Sequence, residues 1–296
     1  MISLRSIALA LLQLCFFNSF SQVTSNLNSK FTVVIDAGHG GKDPGNTGNG
    51  FIEKDIALSI SLSLGKKLEE NDINVIYTRK KDVFVDLFER ANIANRSDAQ
   101  LFISVHCDAH TSQAYGAGTF VLGLHANERN FEIAKKENSV IFFEDNYEDT
   151  YDGFDPNNPE SVIGLTLMQE EYLDQSIIAA SYIQNSFINT LKRKNRNVKQ
   201  AGFIVLKYTY MPSVLVETGF LTNRTEGLYL NSNKGQSEMA DAISLAVLKY
   251  KNDFFKNLST STLSNIDSNN ISKTPLFYRV QIAASKKLLD LKPYNF

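Results

Sequence analysis

Four histidines, at positions 39, 106, 110 and 125, are the residues most able to do chemistry here. His39 stands in Asp36-Ala-Gly-His-Gly-Gly, and His106 directly follows Leu101–Val105 (LFISV). Glu53 opens the stretch EKDIALSISLSLGKKLEE, and Glu217 directly follows Ser213–Val216 (SVLV). Two imidazoles and one carboxylate form a ligand set for catalytic zinc, with a fourth position left for water. A second carboxylate, off the metal, can take a proton from that water and hand it to a departing amine. Each residue alone has an ordinary reading. A lone histidine after a strand is commonly a hydrogen-bonded loop residue, and Glu53 suits the positive end of a helix dipole. Glu217 alone reads as a buried ion-pair partner. The four gain weight together, because each falls where a strand ends or a helix begins.

The surrounding pattern explains how they would meet. Phe31–Ile35 (FTVVI) is a short β-branched run, which reads as a buried strand. Asp36–Gly50 holds six glycines and reads as a loop. Residues 53–70 carry apolar positions at 56, 57, 60, 64 and 68, the spacing of a helix. Further strands are expected at 73–78, 101–105, 118–122, 203–206 and 213–216, and helices near 85–96, 165–194 and 236–255. This alternation predicts one α/β domain with a mainly parallel or mixed twisted sheet flanked by helices. Ligands in such sheets bind beyond the carboxyl ends of the strands. His39, His106 and Glu217 would therefore share one rim, with Glu53 pointing back to it. The flanking glycines, lacking Cβ atoms, let a bulky substrate approach.

Other chemistry finds less support. His110 lies four residues after His106, but the stretch reads as a strand, and Cys107 stands where a helical zinc motif needs glutamate. Cys107, adjoining His106 in an extended segment, points to the opposite face and reads as packing. Ser104 lacks the Gly-x-Ser-x-Gly context of a serine hydrolase. The glycines at 38, 40 and 41 form no dinucleotide or phosphate loop. The chain has 296 residues, 43% of them hydrophobic and 21% charged, the composition of a globular protein. A formal charge of −2 lacks the basic excess expected of a nucleic-acid binder. Two cysteines cannot build a disulfide scaffold or a thiolate zinc site.

Residues 1–21 (MISLRSIALALLQLCFFNSFS) have the layout of a secretory signal peptide. Arg5 precedes an apolar run from Ile7 to Phe17, with Ser19 and Ser21 before a cut at Gln22. Leu14 before Cys15 disfavours a lipoprotein site. Cleavage leaves one cysteine, Cys107, and no tract long enough to span a membrane. The expected location is the envelope, periplasmic or secreted. The catalytic domain is expected over 31–255, with an insertion at about 126–172. Within it, 127–139 reads as a helix, and Glu144–Glu160 holds seven acidic residues and no basic one. Residues 256–276, rich in Ser, Thr and Asn, read as a flexible linker. The basic run Lys192–Lys199 (KRKNRNVK) reads as the end of a helix.

IDAGHGGKDPGNTG at 35–48, EKD at 53–55, TR at 78–79, LFISVHCDA at 101–109 and PSVLVETGFLTN at 212–223 resemble the zinc-dependent N-acetylmuramoyl-L-alanine amidases of bacterial cell-wall turnover. The resemblance covers about residues 31–250. It implies zinc ligands at His39, Glu53 and His106, a catalytic carboxylate at Glu217, and peptidoglycan as substrate. The bond cut would join the lactyl group of N-acetylmuramic acid to L-alanine. Related cell-division enzymes are similar in carrying an inserted helix that blocks the metal until a partner displaces it. Part of 126–172 is therefore expected to cover the site, with one carboxylate near the metal, against the alternative of a solvated surface loop. The basic run is a candidate for binding stem-peptide carboxylates. The tail from 277 (YRVQIAAS within it) resembles the opening of a peptidoglycan-binding repeat, and no complete module is assigned. Rival readings are a zinc peptidase cutting within the stem peptide and a non-catalytic wall-binding regulator on the same fold.

Overall fold

The computed structural model describes residues 30–124, 128–145, 147–151, 153–158 and 170–267. The expected export signal and the tail from 277 lie outside the described residues. Among the described residues there are eight strands: β1 (Thr32–Ala37), β2 (Thr47–Gly48), β3 (Phe51–Ile52), β4 (Asn74–Tyr77), β5 (Leu101–Asp108), β6 (Ala117–Leu122), β7 (Asn195–Ala201) and β8 (Ser213–Phe220). Helices are α1 (Glu53–Glu69), α2 (Leu87–Asn95), α3 (Glu128–Asn138), α4 (Tyr147–Thr150), α5 (Glu170–Asn189), α6 (Ile204–Lys207), α7 (Arg224–Leu230) and α8 (Asn233–Asp267). A 3₁₀ turn at Ser139–Phe143 continues α3.

Six strands form one sheet in the order β4-β1-β5-β8-β6-β7. All neighbours run parallel except β6 and β8, which are antiparallel, so the sheet is mixed. β1, β5 and β8 are buried along their whole lengths, as strands covered on both faces must be. Val34, Phe102, Leu215 and Phe120 line one face and pack with Leu87 and Ala94 of α2, Ala134 of α3, Val140 and Ile141 of the 3₁₀ turn, and Ile204 of α6. On the other face Thr119 donates to the Ala180 carbonyl of α5. Helix α1 buries Ile56, Ala57, Ile60, Leu64 and Leu68, one stripe of a 3.6-residue period, and packs on β1 and β5.

The glycine-rich loop after β1 contains the β2–β3 hairpin. Its two-residue turn is Asn49-Gly50, both at positive φ (53° and 81°), the type I′ geometry that asparagine and glycine favour. The hairpin delivers the chain directly into α1 at Glu53.

Three expectations are corrected. The strand expected at 203–206 is absent. The sixth strand is β7, and Phe203 instead leads into α6, its ring edge-on to Phe120 at 5.2 Å. β7 is an edge strand of polar residues (NRNVKQA), so no apolar run announced it. The basic run does not end a helix, since α5 stops at Asn189 and the run forms a turn and most of β7. The linker expected from 256 is helical as far as Asp267, because Asn257–Asp267 contains neither glycine nor proline to stop α8.

Candidate metal centre

The three residues expected to bind a metal come together at the carboxyl rim of β1 and β5. His39, Glu53, His106 and a fourth residue, Glu137 of α3, each present a ligand atom, all within 4.8 Å of one another, and all four are buried. Glycines make the approach possible. A Cβ on Gly38 would stand 2.5 Å from the His106 ring, and one on Gly45 (φ +67°) would stand 2.5 Å from the His39 ring.

The loop carrying His39 is fastened from beneath by two buried guanidinium groups. Arg90 donates to the carbonyls of Val85, Ala37 and His39 and to Asp36 Oδ1 at 2.7–2.9 Å. Arg79 donates to the carbonyls of Ala37, Gly38 and Lys54 at 2.8–2.9 Å. His39 itself has φ 60°, a backbone state few non-glycine residues adopt and one that collects at functional sites. Burial opposes ionisation of Asp36, but Arg90 with the Ser104 and Thr78 hydroxyls holds its pKa below the ordinary carboxylate value.

Hydrogen bonds fix which nitrogen each imidazole offers. His39 Nδ1 lies 2.7 Å from the Asp43 carboxylate. That carboxylate accepts, so the Nδ1 proton is held there and the Nε2 lone pair is left free, 3.2 Å from Glu53 and 3.1 Å from Glu137. The Ser104 hydroxyl donates to Asp36 Oδ2 at 2.6 Å and therefore accepts from His106 Nε2 at 3.0 Å. The His106 Nδ1 lone pair then faces Glu53 at 3.1 Å and Glu137 at 3.0 Å. Glu53 is held by the backbone N–H groups of Asn46 (2.7 Å) and Cys107 (2.8 Å). His39 Nε2 and Glu137 Oε2 are buried with no hydrogen-bond partner. Two imidazoles, one anchored by the Asp43 carboxylate and one by the Ser104 hydroxyl, both turned toward two further carboxylates, are a donor set that zinc takes.

The electrostatics ask for positive charge at the centre. Burial disfavours charge on His39, yet Glu53 and then Glu137 outweigh it and hold its pKa well above the ordinary 6.5. His106 is pushed up to about 10 against burial, chiefly by Glu137. Burial and Glu53 oppose the charge on Glu137, but His106 and His39 bring it down to about 2. A divalent cation held between the imidazoles and the two carboxylates would meet that demand.

Glu217 stands apart from the four. It is paired in register with His106 across β5 and β8 and is buried, with both oxygens unpartnered. Burial, then the charges of Asp108 and Glu137, raise its pKa well above the ordinary value. Cys107 points away, its sulfur 3.2 Å from the Thr218 hydroxyl, and burial raises its pKa, as expected of a packing residue. His110 is exposed and bonds Ser112 at 2.8 Å. It lines a cavity of about 560 Å³ beside α3, together with Asn46, Asp108, Arg129 and Glu137.

Helix α3 is docked by specific polar contacts. Asn138 donates to the Gly202 carbonyl at 2.7 Å and accepts from the Ile204 N–H at 2.9 Å. Lys136 meets the Asn46 side chain, and Lys42 the Phe143 carbonyl. Glu144 accepts from the Leu87 N–H at 2.8 Å and from the Tyr151 hydroxyl at 2.6 Å. Part of the acidic run is thus folded onto the domain rather than solvated. Glu137 and Asp43 were not singled out in the sequence, where nothing distinguishes them from neighbouring acids.

Known proteins resemble this chain over most of its length. The family model described as N-acetylmuramoyl-L-alanine amidase matches residues 33–249. The chain is 33% identical over 225 residues to N-acetylmuramoyl-L-alanine amidase AmiA of Escherichia coli K12, covering 75% of this chain and 76% of that protein. It resembles the crystal structure of an N-acetylmuramoyl-L-alanine amidase from Clostridium difficile 630, with TM-score 0.57, 27% identity, and 75% and 97% of the two chains covered. It also resembles the CwlD amidase of Clostridioides difficile, solved in complex with the GerS lipoprotein, with TM-score 0.56, 27% identity, and 75% and 99% covered.

Proposed function

The chain belongs to the N-acetylmuramoyl-L-alanine amidase family, and from that premise we propose how its rim residues divide the work. It is an enzyme of the cell wall that hydrolyses the amide between N-acetylmuramic acid and L-alanine in peptidoglycan. His39, Glu53 and His106 hold a zinc ion. When bound, it supplies a Lewis acid that polarises the amide carbonyl and makes a nucleophile available at neutral pH. Two lone pairs, each fixed by an anchored tautomer and turned on the same point, carry this reading.

The protein's own groups do the rest. Asp43 and Ser104 keep the imidazoles aimed. Glu217, buried and in register with His106, takes a proton from the attacking water and passes it to the alanine nitrogen as that nitrogen leaves. Glu137 of α3 stands against both imidazoles and would add a further carboxylate to the metal's donors, so α3 keeps substrate out while docked. A partner protein that draws α3 away would open the site; the CwlD complex with GerS supports a protein partner. Residues 1–21 serve export to the envelope, where the substrate lies, and among the described residues no helix is long and apolar enough to cross a membrane.

Elemental analysis for zinc, followed by digestion of muropeptides with and without chelator, tests the reading. Expected products are the lactyl sugar and a stem peptide with a free L-alanine amine, and no cleavage in chelator. Cleavage inside the stem peptide would establish a peptidase instead.

A further inference from the structure

The sheet order gives the substrate a direction. The metal cluster lies at the ends of β1 and β5, Glu217 lies on β8, and the next strands outward are β6 and β7. A proton carrier has to reach the departing nitrogen. The leaving peptide therefore runs from the metal past Glu217 toward β6 and β7, and the sugar side runs the other way.

On that path β6 places a glycine, Gly118, opposite Glu217 in register. A Cβ there would stand 3.0 Å from Arg196 Cβ and 3.8 Å from Lys199 Cε. Residues three apart on a regular strand point to opposite faces. Here β7 carries a bulge, since Ala117 pairs with Asn195 but Thr119 pairs with Val198, and Asn197 has φ 67°. The extra residue turns Arg196 and Lys199 to one face, the face of Gly118 and Glu217. Bulges commonly re-aim side chains beside active sites.

Both cations are held in place. Arg196 donates to the Tyr115 carbonyl at 2.8 Å and lies 5.0 Å from the Phe220 ring. Lys199 lies 4.3 Å over the Phe120 ring. Among the described residues neither has a carboxylate oxygen within 4.0 Å, while the nearby Asp108 is met by Arg129 of α3 at 3.9 Å. Arg129 also lies 5.7 Å from the Phe220 ring, so docked α3 covers this corner too.

We propose that Arg196 and Lys199 bind a free carboxylate of the leaving stem peptide, across the gap at Gly118. The proposal rests on the amidase reading and adds a substrate preference to it. Asp108 and Glu217 act on Lys199 only from beyond contact distance, so two half-buried cations keep their hydrogen-bonding capacity for an acidic peptide, through charge-assisted hydrogen bonds.

The test takes as parent the zinc-loaded full chain carrying Glu137→Gln, which loosens α3 from the site, and compares two muramoyl peptides, one with the carboxylate next to L-alanine free and one with it amidated. The parent is expected to favour the free acid by about 10- to 100-fold in kcat/KM, mostly through KM. Adding Arg196→Gln with Lys199→Gln removes that preference, and adding Lys199→Arg alone retains it. A parent indifferent to amidation, a preference that survives loss of both cations, or an equal loss on both substrates overturns the subsite. Calorimetric binding of the free stem peptide and its amidated twin to the same variants separates the two readings. If the parent turns over neither substrate, the amidase reading fails, and the binding pair still decides the subsite. Tighter binding of the free acid, lost when both cations are replaced, supports it; equal binding overturns it.

Discussion

Asp43 holds the Nδ1 edge of His39 at 2.7 Å, and that contact leaves His39 only its Nε2 to offer a metal. An anchored imidazole is both correctly turned and more basic. Asp43→Asn keeps the shape but loses the fixed acceptor. It is expected to weaken zinc binding by about 10- to 100-fold, measured by chelator competition, with the far-ultraviolet spectrum unchanged. Wild-type affinity in the variant would remove Asp43 from the centre.

Glu137 reaches the same two imidazoles from α3, at 3.1 Å and 3.0 Å. Glu137→Gln weakens its hold on the cluster and should raise partner-free turnover several-fold. The point variant is the sound choice. Deleting 140–160 instead would take away Ile141 and Tyr151, which are buried in the core, and would unsettle the fold rather than open the site. Unchanged turnover in folded Glu137→Gln would mean that α3 does not gate the site.

Glu217 is buried without a hydrogen-bond partner beside His106. Glu217→Gln is nearly isosteric and cannot carry a proton. Zinc content and melting temperature should stay near wild type while kcat falls by about 10²- to 10⁴-fold. Near-normal turnover would refute its role.

The metal-free chain should show a pH signature. His106, raised to about 10 from an ordinary 6.5, contributes stability that is full below about 6.5 and lost as pH rises through 10. Glu137, drawn down to about 2 from 4.5, contributes stability that is present above 4.5 and lost as pH falls through 2. In chelator the denaturant midpoint should therefore drop between pH 7 and pH 10. Zinc needs the imidazoles already deprotonated, so the loaded protein should not share that drop. A flat profile in chelator would contradict the charge balance drawn above.

Much of this was legible before any coordinates. The β-branched runs at 31–35, 101–105 and 213–216 marked the central strands, because parallel strands covered on both faces leave no room for polar residues. Chemistry-bearing residues one step beyond them had to share a rim. What escaped was polar and local. β7 carries its identity in backbone pairing to β6, not in apolar side chains, so Phe203–Leu206 attracted the strand assignment instead. Glu137 lay in a segment suspected of covering the metal, but nothing in ERNFEIAKKEN separates it from Glu128 or Glu132 until the helix is docked. The bulge at Asn197, which turns Arg196 and Lys199 together, depends on register and is invisible to spacing.

The loop bearing His39 is clamped through its own carbonyls by Arg79 and Arg90, groups that offer the centre no ligand atom. A loop braced by protein–protein hydrogen bonds takes its shape from the fold itself, unlike small zinc-nucleated domains that need the ion in order to fold. Stripping such a protein of metal should therefore silence it without unfolding it.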